Sequence, residues 1–266
     1  MGTSSLYKGP KSAVLLPSDF SEDEEVNSEE PQEQTDDEAN NEGNDEAEPK
    51  ESFQSAKRLL TQSFRNRNTN VKTAVRSYVK ASGGYKQAAR QARVARQLTG
   101  KMFYLLTGSP ADIKSRFEEI GIQVENRPVK DVLSDICQYL APTPDSLENA
   151  LVTDALMEAL SKLYETIDVK EASFDVVNKG LLQKMLMLFV KEYIYLKIIR
   201  DCSYGALKKC ESVREIKEGE KKVKDYVDSI VDAVLPSYFE EDVTQDEIVT
   251  AVTGMYEACY KEAERI

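Results

Sequence analysis

From Phe53 to Cys259 the apolar residues recur at three- and four-residue intervals, and no convincing run alternates apolar with polar residues. That spacing lays one apolar stripe along each helix and provides no half-buried strand from which a sheet could be built. Phe53, Ala56, Leu60 and Phe64 open the series, and Val71, Val75 and Tyr78 continue it. Ser82-Gly83-Gly84 interrupts the pattern, after which Ala88, Ala92, Ala95, Thr99, Met102 and Leu106 predict one face of a single long helix. Ser109-Pro110 reads as an N-cap followed by a first-turn proline, opening a helix to about Ile120. Pro128 opens another, with Val129, Val132, Leu133, Ile136 and Leu140 inward. Thr143-Pro144 predicts a further start, ahead of a stripe at Val152, Leu156, Ala159, Leu163 and Ile167. Leu181 to Ile199 is apolar on nearly all sides, as expected of a central helix. Val223, Val227, Ile230 and Val234 mark a helix expected to end at Pro236. Thr244 with Glu247 forms a capping-box pattern before Ile248, Val252, Met255 and Cys259. The predicted fold class is all-α.

Charge divides the chain differently. Residues 1–18 carry two lysines and no acid, whereas residues 19–51 carry 16 acids and one lysine. Residues 52–111 carry 12 bases and no acid, and residues 112–266 carry 31 acids against 20 bases. The net charge of −12 therefore averages over opposites. The blocks predict four parts: an N-terminal linear motif (1–18), a disordered acidic tether (19–51), a basic helical segment (52–111) and an all-α domain (112–266). The tether has almost nothing apolar after Phe20, so it cannot offset its ordering entropy, and its charges repel one another. It reads either as a solubilising spacer or as an electrostatic mimic that folds back on the basic block or holds nucleic acid away from it. A helical domain of about 155 residues buries roughly 70% of its unfolded surface, which predicts that the last block stands alone.

Absent residue types exclude whole chemistries. The chain has no histidine, which removes Ser-His-Asp and Cys-His nucleophile pairs and every His-containing zinc site. Its four cysteines, Cys137, Cys202, Cys210 and Cys259, lack C-x-x-C spacing and read as reduced thiols. The apolar run Ala13–Leu16 is too short for a signal peptide, and Leu181–Ile199 is broken by Lys184, Lys191 and Glu192. No membrane association is expected, and the expected location is the cytoplasm. Gly83-Gly84 and Thr99-Gly100-Lys101 suggest a phosphate loop, but no glycine stands five residues before Gly100 and no strand precedes it. Carboxylate pairs such as Glu118-Glu119 read as solvated helix ends. No catalytic set, metal site or cofactor site emerges, and the chain is read as a non-enzyme.

Two segments remain as candidates. The basic block places Lys72, Arg76 and Lys80 on one helix and Lys86, Arg90, Arg93 and Arg96 beyond the glycine pair, with aromatic residues interleaved. It suits nucleic acid or another polyanion, docking to an acidic protein, or a structural role with a charged exterior. The other candidate is the N-terminus. With Met1 removed, Gly2 would offer an unhindered α-amine, whose ordinary pKa of about 7.7–8.0 leaves more of it nucleophilic at neutral pH than a lysine near 10.4. Leu6 stands where a myristoylation signal wants Ser or Thr. Ala13 to Pro17 reads as a linear docking motif or as a fragment packing on its own domain.

The opening MGTSS, Gly9-Pro10, the patch Leu15-Leu16-Pro17 and the segment SYVKASGGYKQAARQARVARQLTG together resemble the B component of Qat antiphage defence systems. Tyr78-Val79, Ser82-Gly83-Gly84 and Ala88-Ala89-Arg90 carry the middle of that resemblance, and the last 150 or so residues share only helical character. Ser18-Asp19-Phe20 stands where the family has a tryptophan, and the tail is acidic more than proline-rich. The resemblance implies a non-catalytic subunit acting with an ATPase, a QueC-like enzyme and a TatD-like nuclease. QueC enzymes activate the carboxylate of a 7-deazaguanine with ATP for attack by ammonia, and a protein α-amine is the chemical equivalent of that ammonia. Gly2 is then the implied acceptor, with Thr3, Ser4, Lys8, Gly9, Pro10, Val14, Leu15, Leu16 and Pro17 as the implied docking segment. The alternative is a helical adaptor that uses residues 57–101 to hold nucleic acid or to bring nuclease and ATPase together.

Overall fold

The computed structural model describes residues 52–65, 70–166, 179–240 and 243–265. Among them are eleven α-helices and one short 3-10 turn, with no strand. In chain order the helices are α1 (Phe53–Arg65), α2 (Val71–Ala81), α3 (Tyr85–Gln91), α4 (Arg93–Leu106), α5 (Pro110–Glu119) and α6 (Val129–Leu140). They continue with α7 (Leu147–Thr166), α8 (Lys179–Cys202), α9 (Tyr204–Lys209), α10 (Val213–Glu240) and α11 (Ile248–Glu264). The protein is all-α, as its periodicity predicts.

The helix ends show why each helix starts where it does. Asn70 accepts the amide of Lys72 at 3.0 Å, and Ser109 with Asp112 closes a reciprocal box at the start of α5. Thr244 and Glu247 form the expected box ahead of α11. At Gly83-Gly84 the chain leaves α2 with φ of 94° and 81°, a region glycine enters without a Cβ penalty. Their amides return to the carbonyls of Lys80 and Val79, which satisfies the last turn of α2.

α8 is the axis of the body. It packs against α7, α10 and α4 and also touches α1, α2 and α9. Leu182, Met185, Leu186, Phe189, Val190, Tyr193, Ile194 and Ile198 are all buried, each worth about 1.5–3 kcal/mol of transfer free energy. α11 is the second inner helix, lying on α2, α3, α4 and α10 and burying Val252, Met255, Tyr256, Cys259 and Tyr260. The rings of Tyr193 and Tyr256 meet edge to face at 6.0 Å, joining the two inner helices.

The structure departs from the sequence reading in four places. The long helix expected across Ala88–Leu106 is two helices, broken at Ala92 where ψ reaches 33°. The break lets α3 lie along α11 while α4 turns onto α8 as well. α7 starts after Ser146, whose hydroxyl accepts the Asn149 amide at 3.1 Å, and not at Thr143-Pro144; the Thr143 carbonyl is bound instead by the Asn149 side chain. Pro236 lies inside α10 and does not end it. Beyond it the partly buried Phe239 stacks on Phe103 at 6.2 Å, so the turn after the proline still has a packed side. Finally, the charge boundary at residue 111 has no counterpart in the packing. α1–α4 share one core with the later helices, because charge marks helix exteriors while the core is assembled from the stripes beneath. Residues 1–51, which include the proposed linear motif and tether, lie outside the described residues, as does Ile167.

Candidate functional site

A recess of about 930 Å³ is a groove between α4 and α11, lined also by the last turn of α6 and Ala141-Pro142. Its floor comes from the inward stripes: Leu98 and Leu105 from α4, Leu140 from α6, and Ile248 and Val252 from α11. Its rim carries apolar residues that the stripes do not explain. Val249 stands one position past Ile248 and is 76% exposed, and Tyr139 stands one before Leu140 and is 48% exposed. Along the α4 wall lie Arg93, Arg96 and Lys101, and among the described residues none that lines the groove is acidic. Arg96 is partly committed, donating from Nη1 to the Thr253 hydroxyl at 2.9 Å, while Arg93 and Lys101 are exposed. The α4 wall is held from behind by Arg116 of α5. Its guanidinium lies 4.2 Å from the Tyr104 ring and donates to the Tyr104 carbonyl at 2.5 Å.

The seven cations picked out by the sequence are therefore not one stripe. Lys72 lies over the Tyr226 ring of α10 at 5.8 Å, and Arg76 and Lys80 are half-buried on the same helix. Lys86 lines a shallower depression with Tyr85, Lys261 and Glu264, and Arg90 is exposed on α3. Only Arg93 and Arg96 of the seven reach the groove, where Lys101 joins them. Gly2, Thr3, Ser4, Lys8, Gly9, Pro10, Val14, Leu15, Leu16 and Pro17 lie outside the described residues.

Two polar clusters, one in the core and one at its edge, are not legible in the sequence. Glu192 is 2% exposed, yet it carries a carboxylate into the core, where it pairs with Lys162 of α7 and with Lys224 of α10, the latter at 3.1 Å. The second cluster centres on Glu148, which accepts from the Tyr193 hydroxyl at 2.6 Å and from Lys197 at 3.0 Å. Arg200 links Glu148 to Asp201, and Asp201 accepts from the Tyr78 hydroxyl at 3.1 Å. Burial raises the Glu148 carboxyl, but hydrogen bonds from Tyr193 and Lys197 and the charges of Lys197 and Arg200 outweigh it and hold the group below its ordinary value. Burial, with negative neighbours, pushes the Tyr78 and Tyr193 phenols up, so both stay protonated donors. These clusters join helices. Among the described residues no group of histidine, cysteine, aspartate or glutamate is arranged to hold a metal ion, and no helix is long and apolar enough to cross a membrane.

Compared with known proteins, the chain matches the family model described as Qat anti-phage system associated protein QatB over residues 83–262. The chain belongs to the QatB family. No curated protein and no solved structure matches it. The span matched to QatB begins at Gly83 and runs through α3 to nearly the end of α11, so it contains the residues lining the groove, the Glu192 cluster, and the Glu148 cluster apart from Tyr78. It covers the later helices, in which the sequence reading found only helical character in common with the family. α1, α2 and the opening motif lie before it, although α1 and α2 are part of the same core.

Proposed function

We propose that this chain is a non-catalytic subunit of a Qat antiphage defence system and that its Gly2 amine, after removal of Met1, accepts a 7-deazaguanine from a QueC-like partner. The observation that carries the reading is membership of the QatB family, which associates the chain with the other Qat components. The chemistry is an acyl transfer. The QueC-like enzyme activates the deazaguanine carboxylate with ATP, the unprotonated Gly2 nitrogen attacks the activated carbon, the nucleotide leaving group departs, and an N–H proton passes to solvent. An amide results. The 51 residues from Gly2 to Ser52 would reach on the order of 170 Å extended and about 40 Å as a flexible coil, long enough to enter a partner's active site from the helical body. The ATPase and the TatD-like nuclease complete the proposed assembly, in the cytoplasm.

Intact-mass analysis of the N-terminal peptide, taken from cells carrying all components, tests the reading. The expected result is a peptide beginning at Gly2 and heavier by the deazaguanine acyl group. An unmodified glycine terminus in a system that protects against phage would overturn it. Gly2→Leu should abolish the adduct, whereas replacing Arg90, Arg93 and Arg96 with glutamine should leave it in place.

A further inference from the structure

We propose that the α4–α11 groove is a docking site for an acidic amphipathic helix of a partner protein. The inference does not depend on modification of Gly2, and its test uses this protein alone.

Three features of the groove select the occupant. Its floor is aliphatic, formed by leucine, isoleucine and valine from three helices, and it suits branched aliphatic side chains, with Tyr104 and Tyr139 beside it. The apolar surface continues past the floor onto the rim at Tyr139 and Val249, so an occupant lies along the groove and does not sit wholly within it. The cations are distributed along one wall. Arg93 and Lys101 are eight residues apart on α4, which places them about 12 Å apart along its axis, with Arg96 between. Carboxylates at i, i+4 and i+8 of a helix have that same spread, whereas a single phosphate group would concentrate its charge at one point. A recess with three cations and, among the described residues, no acid in its lining is complementary to a negative partner. The 3-10 turn that leads into α11 is closed by Thr244 and Glu247, and the cations of the groove are side chains.

The probe is a fluorescein-labelled helical peptide with leucines at i, i+3, i+4 and i+7 and glutamates on the flanking positions, titrated with the full-length protein and read by anisotropy. Binding is expected to weaken at least tenfold when the peptide's glutamates are replaced by lysines, and at least tenfold in the R93E/K101E protein. Val249→Asp, at an exposed position, should weaken binding as well. No binding up to millimolar concentration, equal binding of the acidic and basic peptides, or binding indifferent to R93E/K101E would each overturn the proposal. Displacement of the peptide by a single-stranded oligodeoxynucleotide at lower concentration would make nucleic acid the occupant and overturn it too. So would a tenfold gain in peptide affinity on neutralising Glu22, Asp23, Glu24 and Glu25, because the chain's own acids would then be the competitor. Because the basic peptide requires no change to the protein, one arm of the test is free of any folding defect.

Discussion

Two glycines in helices show how differently the same residue can be constrained. A Cβ added at Gly219 in α10 would overlap the ring of Phe64, a buried residue of α1, at ring carbons close to its attachment. Gly219 is therefore what allows α1 and α10 to approach closely. Gly100 in α4 is under no such demand, since an added Cβ would stand 3.9 Å from Ile248, in ordinary contact. Gly219→Ala should destabilise the protein by about 1–3 kcal/mol, because Phe64 has to leave a well-packed site. Gly100→Ala should stabilise it by up to about 1 kcal/mol through helix propensity. Urea unfolding of the two variants checks both signs, and a stable Gly219→Ala protein would refute the crossing argument. Neither role was legible in the sequence, where both residues are simply glycines within helical patterns. What was legible at this scale was local chemistry: the Ser109 cap, the Thr244–Glu247 box and four unpaired cysteines, three of them buried.

Periodicity located the helices because each stripe follows from the chain's own geometry, and Val129–Leu140 or Ile248–Cys259 can be assigned without knowing any neighbour. It could not show which residue off a stripe would matter. Glu192 reads as an interruption of an apolar helix, and only the approach of α7 and α10 supplies its lysines. The groove was equally hidden, since Tyr139 and Val249 become a rim only when α6 and α11 meet α4. The signal that was present, an apolar residue one position off a clean stripe, is common on helix surfaces. The break at Ala92 was invisible because every alanine around it is compatible with a continuous helix. The buried carboxylate gives a prediction with an asymmetry. Lys162 and Lys224 keep 28% and 29% of their side-chain surface exposed and can turn to water, but Glu192 cannot. Lys162→Met/Lys224→Met should therefore cost about 3–5 kcal/mol, either single change much less, and Glu192→Gln only about 1–2 kcal/mol. Chemical denaturation of the four variants measures the order, and a double variant no weaker than Glu192→Gln would contradict it.

For the whole molecule, charge and packing follow different divisions. The sequence changes sign at residue 111, yet Tyr78 of α2 reaches Asp201 of α8, and Thr99 of α4 shares a hydrogen bond with Tyr256 of α11 at 3.0 Å. A fragment spanning residues 112–266 would lose four helices from its core and leave Tyr193, Tyr256 and Tyr260 facing water on one side. It should show no cooperative thermal transition, whereas the full chain should; a sharp melt of the fragment would restore the boundary that charge suggested. α8 carries a further consequence. A rod that is apolar on nearly every side, set in an apolar socket, has many rotational phases and axial shifts of similar energy. Advancing it by one residue turns it about 100°. Glu192 and Tyr193 are adjacent on that rod and answer to different neighbours, one to lysines on α7 and α10 and the other to Glu148 on α7. A slip in either direction breaks both matches at once and strands a carboxylate in the core, so the pair acts as a key that leaves α8 a single seating.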